Sequence, residues 1–122
     1  MFVRAVEEPD AIRRAWERLE ARIETLRRRR FFGAFEAATS EYRACVQIQE
    51  GDDPSGLGLE SGTLPGGTYL RARLRGEPPE VYEQIGPMFA ALAEAAVPDE
   101  TRPSIEFYRR SDEIDLLLPV RL

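Results

Sequence analysis

The sequence of 122 residues contains no histidine and only one cysteine, Cys45. Without histidine the chain cannot form a Ser-His-Asp triad, use imidazole for acid–base catalysis or build most catalytic zinc sites. A single cysteine also excludes an internal disulfide and a cysteine-cluster zinc site. Any chemistry must therefore use carboxylates, tyrosine, arginine or the one thiol, and we expect no metal and no cofactor.

Long apolar stretches are missing as well. The residues after Met1 lack the apolar core of a signal peptide, and no run approaches the roughly 18 apolar residues of a membrane span. The cytoplasm is therefore the expected compartment, with no membrane partner. The formal net charge of −5 disfavours broad phosphate binding and favours cationic ligands, so we expect no direct nucleic acid binding.

Two ligand-binding patterns are excluded by their spacing. Asp52 and Asp53 lie in a polar loop, but the ligand spacing of a calcium loop is missing. Gly56, Gly58 and Gly62 do not have the spacing of a dinucleotide-binding loop, and no helix follows them. This loop is better explained as a connection between two parts of one domain.

The remaining composition is that of one globular domain. A chain of this length can bury a core without disulfides or metals. Its 43% hydrophobic and 32% charged residues are ordinary proportions for such a domain. These numbers leave the oligomeric state open.

Hydrophobic periodicity predicts two helices. Steps of three and four residues place six apolar side chains on one face of a first helix: Ile12, Ala15, Trp16, Leu19, Ile23 and Leu26. The arginines at 27–30 are predicted to close this helix, where basic charge is favoured; a nucleic-acid or targeting patch is the alternative. A second helix, interrupted at Gly86 and Pro87, has an apolar face made of Tyr82, Ile85, Phe89, Leu92 and Ala96.

Alternating patterns predict strands at 2–6 and 68–74 and two hairpins, at 31–50 and 102–120. The pattern thus predicts the order strand, helix, strand, strand, and this order occurs twice along the chain. Turn residues of the two hairpins correspond at a shift of 72. The repeats span about residues 2–50 and 63–122, with a linker at about 51–62.

This repeat predicts an α+β fold of two βαββ units with pseudo-two-fold symmetry. The units would join edge to edge into one antiparallel sheet with both helices on one side. A cleft between the two halves is a common place for a small-molecule site.

One carboxylate in the second hairpin needs an explanation. Ile105 and Phe107 alternate with Glu106 and Tyr108, so Glu106 and Tyr108 share a strand face. This face could be an exposed side of the sheet, or it could floor a cavity that carries one acid. At the shift of 72 the first repeat has Ala34 in place of Glu106, so the acid would belong to one repeat alone.

Several short motifs, in their order and spacing, resemble the GyrI-like small-molecule-binding domain. They are Ala15-Trp-Glu-Arg-Leu19 in the first helix, Gly33-Ala-Phe35 in the following strand, Thr63-Leu-Pro-Gly-Gly-Thr-Tyr69, and Pro103-Ser-Ile-Glu-Phe-Tyr108 with Glu113-Ile-Asp-Leu-Leu-Leu-Pro-Val120. The resemblance covers nearly the whole chain, and its fold of two βαββ units agrees with the repeat.

The resemblance also implies a function. The same module is the effector-binding domain of several bacterial multidrug-responsive transcription regulators. It binds bulky, often cationic aromatic compounds in the central cleft, around an acid in the penultimate strand whose matching position here is Glu106. The chain departs from the family in its short first strand, which lacks a glycine before the first helix. It also has no DNA-binding segment, so we expect a stand-alone module without direct control of transcription.

Three functions follow from these observations. The first is binding of amphipathic aromatic cations, with Glu106 as counter-ion and five candidate wall residues: Tyr108, Tyr69, Trp16, Phe35 and Tyr82. For Trp16, Phe35 and Tyr82 ordinary core packing is the alternative. The second is a hydrolase of reactive small molecules, with Glu106 as general base and Tyr69 or Tyr108 as hydrogen-bond donor. The third is a protein-interaction module such as a gyrase inhibitor, for which the sequence shows no obvious anchor cluster.

Overall fold

A computed structural model describes residues 1–121 and confirms the predicted α+β fold. Six strands and two helices follow one another along the chain. Their bounds are β1 Phe2–Val6, α1 Pro9–Arg22, β2 Phe31–Glu36, β3 Glu41–Val46, β4 Tyr69–Arg75, α2 Ile85–Ala95, β5 Ser104–Arg110 and β6 Glu113–Pro119. A 3-10 turn, Glu80–Gln84, leads into α2.

The six strands form one antiparallel sheet in the order β1-β3-β2-β5-β6-β4. The first repeat supplies β1, β3 and β2, and the second supplies β5, β6 and β4, so the order of one half reverses that of the other. The repeats join where β2 pairs with β5. This arrangement is the predicted edge-to-edge junction of two βαββ units.

The register corrects one detail of the repeat. Gly33 pairs with Ala44 within the first hairpin, and Glu106 pairs with Leu116 within the second. A shift of 72 does relate Ala44 to Leu116, but the second hairpin is one residue shorter. The counterpart of Glu106 is therefore Gly33. The predicted counterpart, Ala34, is wrong because its side chain lies on the opposite face of the sheet.

Both helices pack on the same face of the sheet. On that face α1 covers β1 and β3 and buries Ala15 and Leu19, and Ile23, just after the helix, is buried in the same core. The 3-10 turn and α2 cover β4 and β6, where Ile114 and Leu116 are fully buried. The two central strands, β2 and β5, lie between the helices. They separate the two hydrophobic cores, and we call the surface above them, between the two helices, the groove.

The first helix ends earlier than its apolar pattern predicts. It stops at Arg22, because Ile23 takes an extended conformation that keeps its side chain in the core. Leu26, which the pattern placed on the apolar face, is 46% exposed. The prediction that the arginines at 27–30 close the helix is wrong. They lie in the connection to β2, where Arg29 forms an ion pair with Asp52 at 2.6 Å.

The second helix begins where its pattern is interrupted. Pro87 lies in the first turn of α2, where the N–H that proline lacks would have no helical partner. The 3-10 turn before it carries Val81, which is fully buried, and Tyr82, which is 46% exposed. The predicted interruption therefore marks the boundary between two helical segments.

The connection between the repeats packs against both faces of the sheet. Leu59 is buried in the core of the first repeat, and the backbone of Glu60 pairs with that of Phe2. Leu64 then packs against the cluster around Phe2 on the face without helices. No helix within residues 1–121 is long and apolar enough to cross a membrane.

Candidate functional site

The groove between the helices is centred on a pair of residues from the two repeats. Gly33 of β2 and Glu106 of β5 lie directly opposite each other where the repeats join. A Cβ at position 33 would overlap the hydroxyl of Tyr42 and the carboxylate of Glu106. Because Gly33 has no side chain, the Tyr42 hydroxyl and the Glu106 carboxylate can meet in the space that a Cβ would occupy.

A chain of hydrogen bonds holds the Glu106 carboxylate. The hydroxyl of Tyr108 donates to Oε1 at 2.6 Å, and the hydroxyl of Tyr42 donates to the same oxygen at 2.8 Å. The indole Nε1 of Trp16 in turn donates to the Tyr42 hydroxyl at 3.1 Å. The acid is thus positioned by β3, by its own strand β5 and, through Tyr42, by α1.

The second carboxylate oxygen of Glu106 is free. Both hydrogen bonds end on Oε1, and no donor within residues 1–121 reaches Oε2. One oxygen anchors the side chain, and the other has no hydrogen-bond donor within residues 1–121.

The electrostatic state of Glu106 follows from its surroundings. The side chain is half-buried, and no arginine within residues 1–121 forms an ion pair with it. Burial raises the pKa of Glu106, while the hydrogen bonds from Tyr108 and Tyr42 act in the opposite direction. Burial also raises the pKa of both tyrosines, so their hydroxyls remain protonated donors.

Aromatic rings surround this carboxylate. Trp16 meets Tyr108 edge-on with ring centroids 5.3 Å apart, and Tyr82 also meets Tyr108 edge-on, at 6.4 Å. Phe31 lies 6.2 Å from Trp16 and pairs with Tyr108 across the junction of the repeats. Trp16, Phe31 and Tyr108 are half-buried, and Tyr82 is the most exposed of the four. The groove therefore has aromatic walls with an edge open to solvent.

Three of the five candidate wall residues come together at Glu106, namely Tyr108, Trp16 and Tyr82. Phe35 lies on the same sheet face but packs into the core of the first repeat. Tyr69 lies on the opposite face, at the start of an edge strand. Its hydroxyl donates to the carbonyl of Pro65, and its ring is covered by the guanidinium of Arg102 at 4.8 Å. Tyr69 is therefore not a neighbour of Glu106.

Three residues of the site were not predicted from the sequence. They are Gly33, Phe31 and Tyr42, which is buried and donates directly to Glu106. In the sequence Tyr42 belongs to an apolar strand face with Ala44 and Val46, which is typical of ordinary core residues. Only the pairing of β2 with both β3 and β5 brings that face to the acid.

The arrangement limits the chemistry of the site. Residues 1–121 contain no group of three or more carboxylates and thiols that could hold a metal ion. Cys45 faces the other side of the sheet, and burial raises its pKa to about 11, which keeps the thiol protonated. The functional groups at the groove are one carboxylate, two tyrosine hydroxyls and aromatic surface.

Comparisons with known proteins support the fold and go no further. No family model matches the sequence, and no curated protein matches it. Among solved structures, an integron cassette protein from the mobile metagenome of Vibrio cholerae is similar, with a TM-score of 0.71 and 16% sequence identity. The match covers 99% of this chain and 87% of that one. At this identity the likeness establishes a shared architecture.

Proposed function

We propose that this protein binds amphipathic aromatic cations in the groove between its two repeats. The observation that carries the proposal is the carboxylate of Glu106 among aromatic rings, with two tyrosine hydroxyls bound to Oε1 and no hydrogen-bond donor within residues 1–121 on Oε2. The proposal agrees with the function that the resemblance to GyrI-like domains implies.

The charge of the site favours a cationic ligand. An ionised carboxylate that is partly removed from water loses hydration, and no arginine within residues 1–121 compensates Glu106. A bound cation would supply the missing counter-charge in a medium of lower dielectric constant than water. A neutral ligand would leave that cost in place, and an anion would add repulsion.

The walls favour an aromatic ligand with delocalised or alkylated positive charge. The ring of Tyr108 meets those of Trp16 and Tyr82 edge-on, so its face points in a different direction from theirs. A cation over such a face gains roughly 0.5–2 kcal/mol, and the apolar body of the ligand gains from leaving water. The hydrogen bonds to Oε1 position the carboxylate before a ligand arrives, which reduces the entropic cost of binding.

A titration with tetraphenylphosphonium or rhodamine 6G tests the proposal. We expect saturable binding by the wild-type protein and a loss of roughly tenfold or more in Glu106→Gln, the equivalent of about 1.4 kcal/mol. Glu17→Gln is the matched control, since Glu17 is an exposed acid on α1. Equal affinities of Glu106→Gln and the wild type would exclude Glu106 as the counter-ion.

A hydrolase is the second candidate, and one observation favours it. The raised pKa of Glu106, together with the Tyr108 hydroxyl 2.6 Å away, is suited to a general base or acid next to a hydrogen-bond donor. Turnover of an electrophilic aromatic ester, measured with wild type and Glu106→Gln, separates the two functions. Binding without turnover supports a ligand-binding protein, whereas turnover that is lost in the variant supports the hydrolase.

A further inference from the structure

A second cavity lies at one end of the central strands. Its volume is about 390 Å³, and it is formed by the chain before β2, by the end of β5 and by the start of β6. Its lining residues are Arg29, Arg30, Phe107, Tyr108, Arg109, Arg110 and Glu113. Four arginines and one glutamate are thus among the lining residues of a small volume in a protein whose formal net charge is −5.

Two of the four arginines already have partners. Arg29 makes a bidentate pair with Asp52 at 2.6 and 2.8 Å. Arg109 lies 3.6 Å from Glu113 and 3.5 Å from Asp115. These contacts neutralise part of the charge and hold two of the guanidinium groups in place.

The other two arginines remain uncompensated. Within residues 1–121 no carboxylate forms an ion pair with Arg30 or Arg110. Like charges around one cavity repel each other, and a negative charge bound among them would reduce this repulsion. A small anion in the cavity would do so.

The backbone around the cavity is well anchored. The carbonyl of Arg30 accepts a hydrogen bond from the backbone N–H of Gln47, and the Gln49 side chain donates to the carbonyl of Arg28. On the opposite side, the pairing of β5 with β6 shifts register between Tyr108 and Arg110. Such bulges redirect side chains and are common beside binding sites.

We propose that this arginine cavity binds a small molecule through a phosphate or carboxylate group. Guanidinium groups form paired hydrogen bonds with both kinds of oxyanion, and all 17 basic residues of the chain are arginine. Phe107 offers an apolar surface beside the charges. The acidic protein as a whole repels a nucleic acid, and the arginines line one small cavity, which fits a small anion better than a polymer.

Calorimetric titration with pyrophosphate, inorganic phosphate and citrate at low ionic strength tests this site. We expect saturable binding of at least one of them with a Kd below about 1 mM. The double variant Arg30→Ala/Arg110→Ala should bind at least tenfold more weakly. The double variant Arg14→Ala/Arg18→Ala removes two exposed arginines of α1 that lie outside the cavity, and it should bind like the wild type.

Because Arg30 and Arg110 are exposed, the double variant should keep the circular dichroism of the wild type. If the double variant does not keep this signal, the anion affinity of the single variant Arg110→Gln is compared with that of wild type instead. The site is refuted if no anion saturates the wild type, or if both double variants lose affinity equally. Tight binding of a DNA duplex that pyrophosphate cannot displace would also refute it.

Discussion

Gly33 and Glu106 are at once pseudo-symmetry counterparts and direct partners across the junction of the two repeats. The pseudo-two-fold axis therefore passes between them. Residues paired in this way have Cα atoms only about 4.5–5.5 Å apart. Two glutamates here would place two carboxylates in one space, at a high electrostatic cost. A single acid opposite a glycine avoids this cost within a pseudo-symmetric sheet.

Gly33→Ala should damage the site and the fold together. The added methyl group would overlap the Tyr42 hydroxyl and the Glu106 carboxylate, so one of them must move. We expect a loss of about 1–3 kcal/mol in the free energy of unfolding, measured by urea titration, and a weaker affinity for the cation. Gly86→Ala is the control, because a methyl group there meets open space within a helix. A Gly33→Ala protein with wild-type stability would show that the pair is not tightly packed.

Glu106→Gln should change the pH dependence of stability. Burial raises the folded-state pKa of Glu106, so its ionisation opposes folding as pH rises from the unfolded-state value near 4.5 through the raised value. The neutral amide avoids this cost. We expect the variant to gain stability relative to wild type at pH 7–8 and to lose that advantage near pH 4. Thermal melts of both proteins across this range check the sign. The prediction is contradicted if the stability of the variant minus that of wild type falls as the pH rises from 4 to 8.

Tyr42→Phe should be more costly than Tyr108→Phe. Both changes remove one hydrogen bond to Oε1 of Glu106, but the first also leaves the Trp16 indole N–H without its acceptor. We expect about 1–3 kcal/mol of destabilisation for Tyr42→Phe and a smaller loss for Tyr108→Phe. Chemical denaturation measures both, with Tyr69→Phe on the opposite sheet face as control. The reverse order would mean that the Trp16 bond contributes little.

Tyr82→Ala should weaken ligand binding with little effect on stability. The ring is 46% exposed and touches Tyr108 at the open edge of the groove, so its removal leaves the core packed. We expect a three- to thirtyfold loss of affinity for tetraphenylphosphonium, as for the loss of one cation–π contact. The melting temperature should stay within about 2 °C of wild type. Unchanged affinity would place the ligand away from the side of the groove formed by the 3-10 turn.

Much of the architecture was predictable because it depends on local pattern. The alternation around Ile105 and Phe107 predicted β5, and the apolar spacing of Ala15 and Leu19 predicted α1. The end of α1 was not predictable, because the pattern continues to Leu26 while the chain leaves the helix at Ile23. Tertiary packing of Ile23 and the Arg29–Asp52 ion pair override helical propensity there.

The candidate site was predictable only in part. Sequence alternation placed Glu106 and Tyr108 on one strand face, since that relation spans two residues of one strand. It could not show that Tyr69 faces away, because strand order and register across β4, β6 and β5 decide which faces meet.

By itself, the sequence determined the two βαββ repeats and the presence of one acid among aromatic residues, since helical and strand periodicity are local properties of the chain. The tertiary structure alone decided that Gly33 lies opposite Glu106 and that Tyr42 and Trp16 complete its hydrogen bonds. These relations join residues distant in sequence. They depend on which strands pair and in which register, and a one-residue slip would turn every side chain of a strand to the other face.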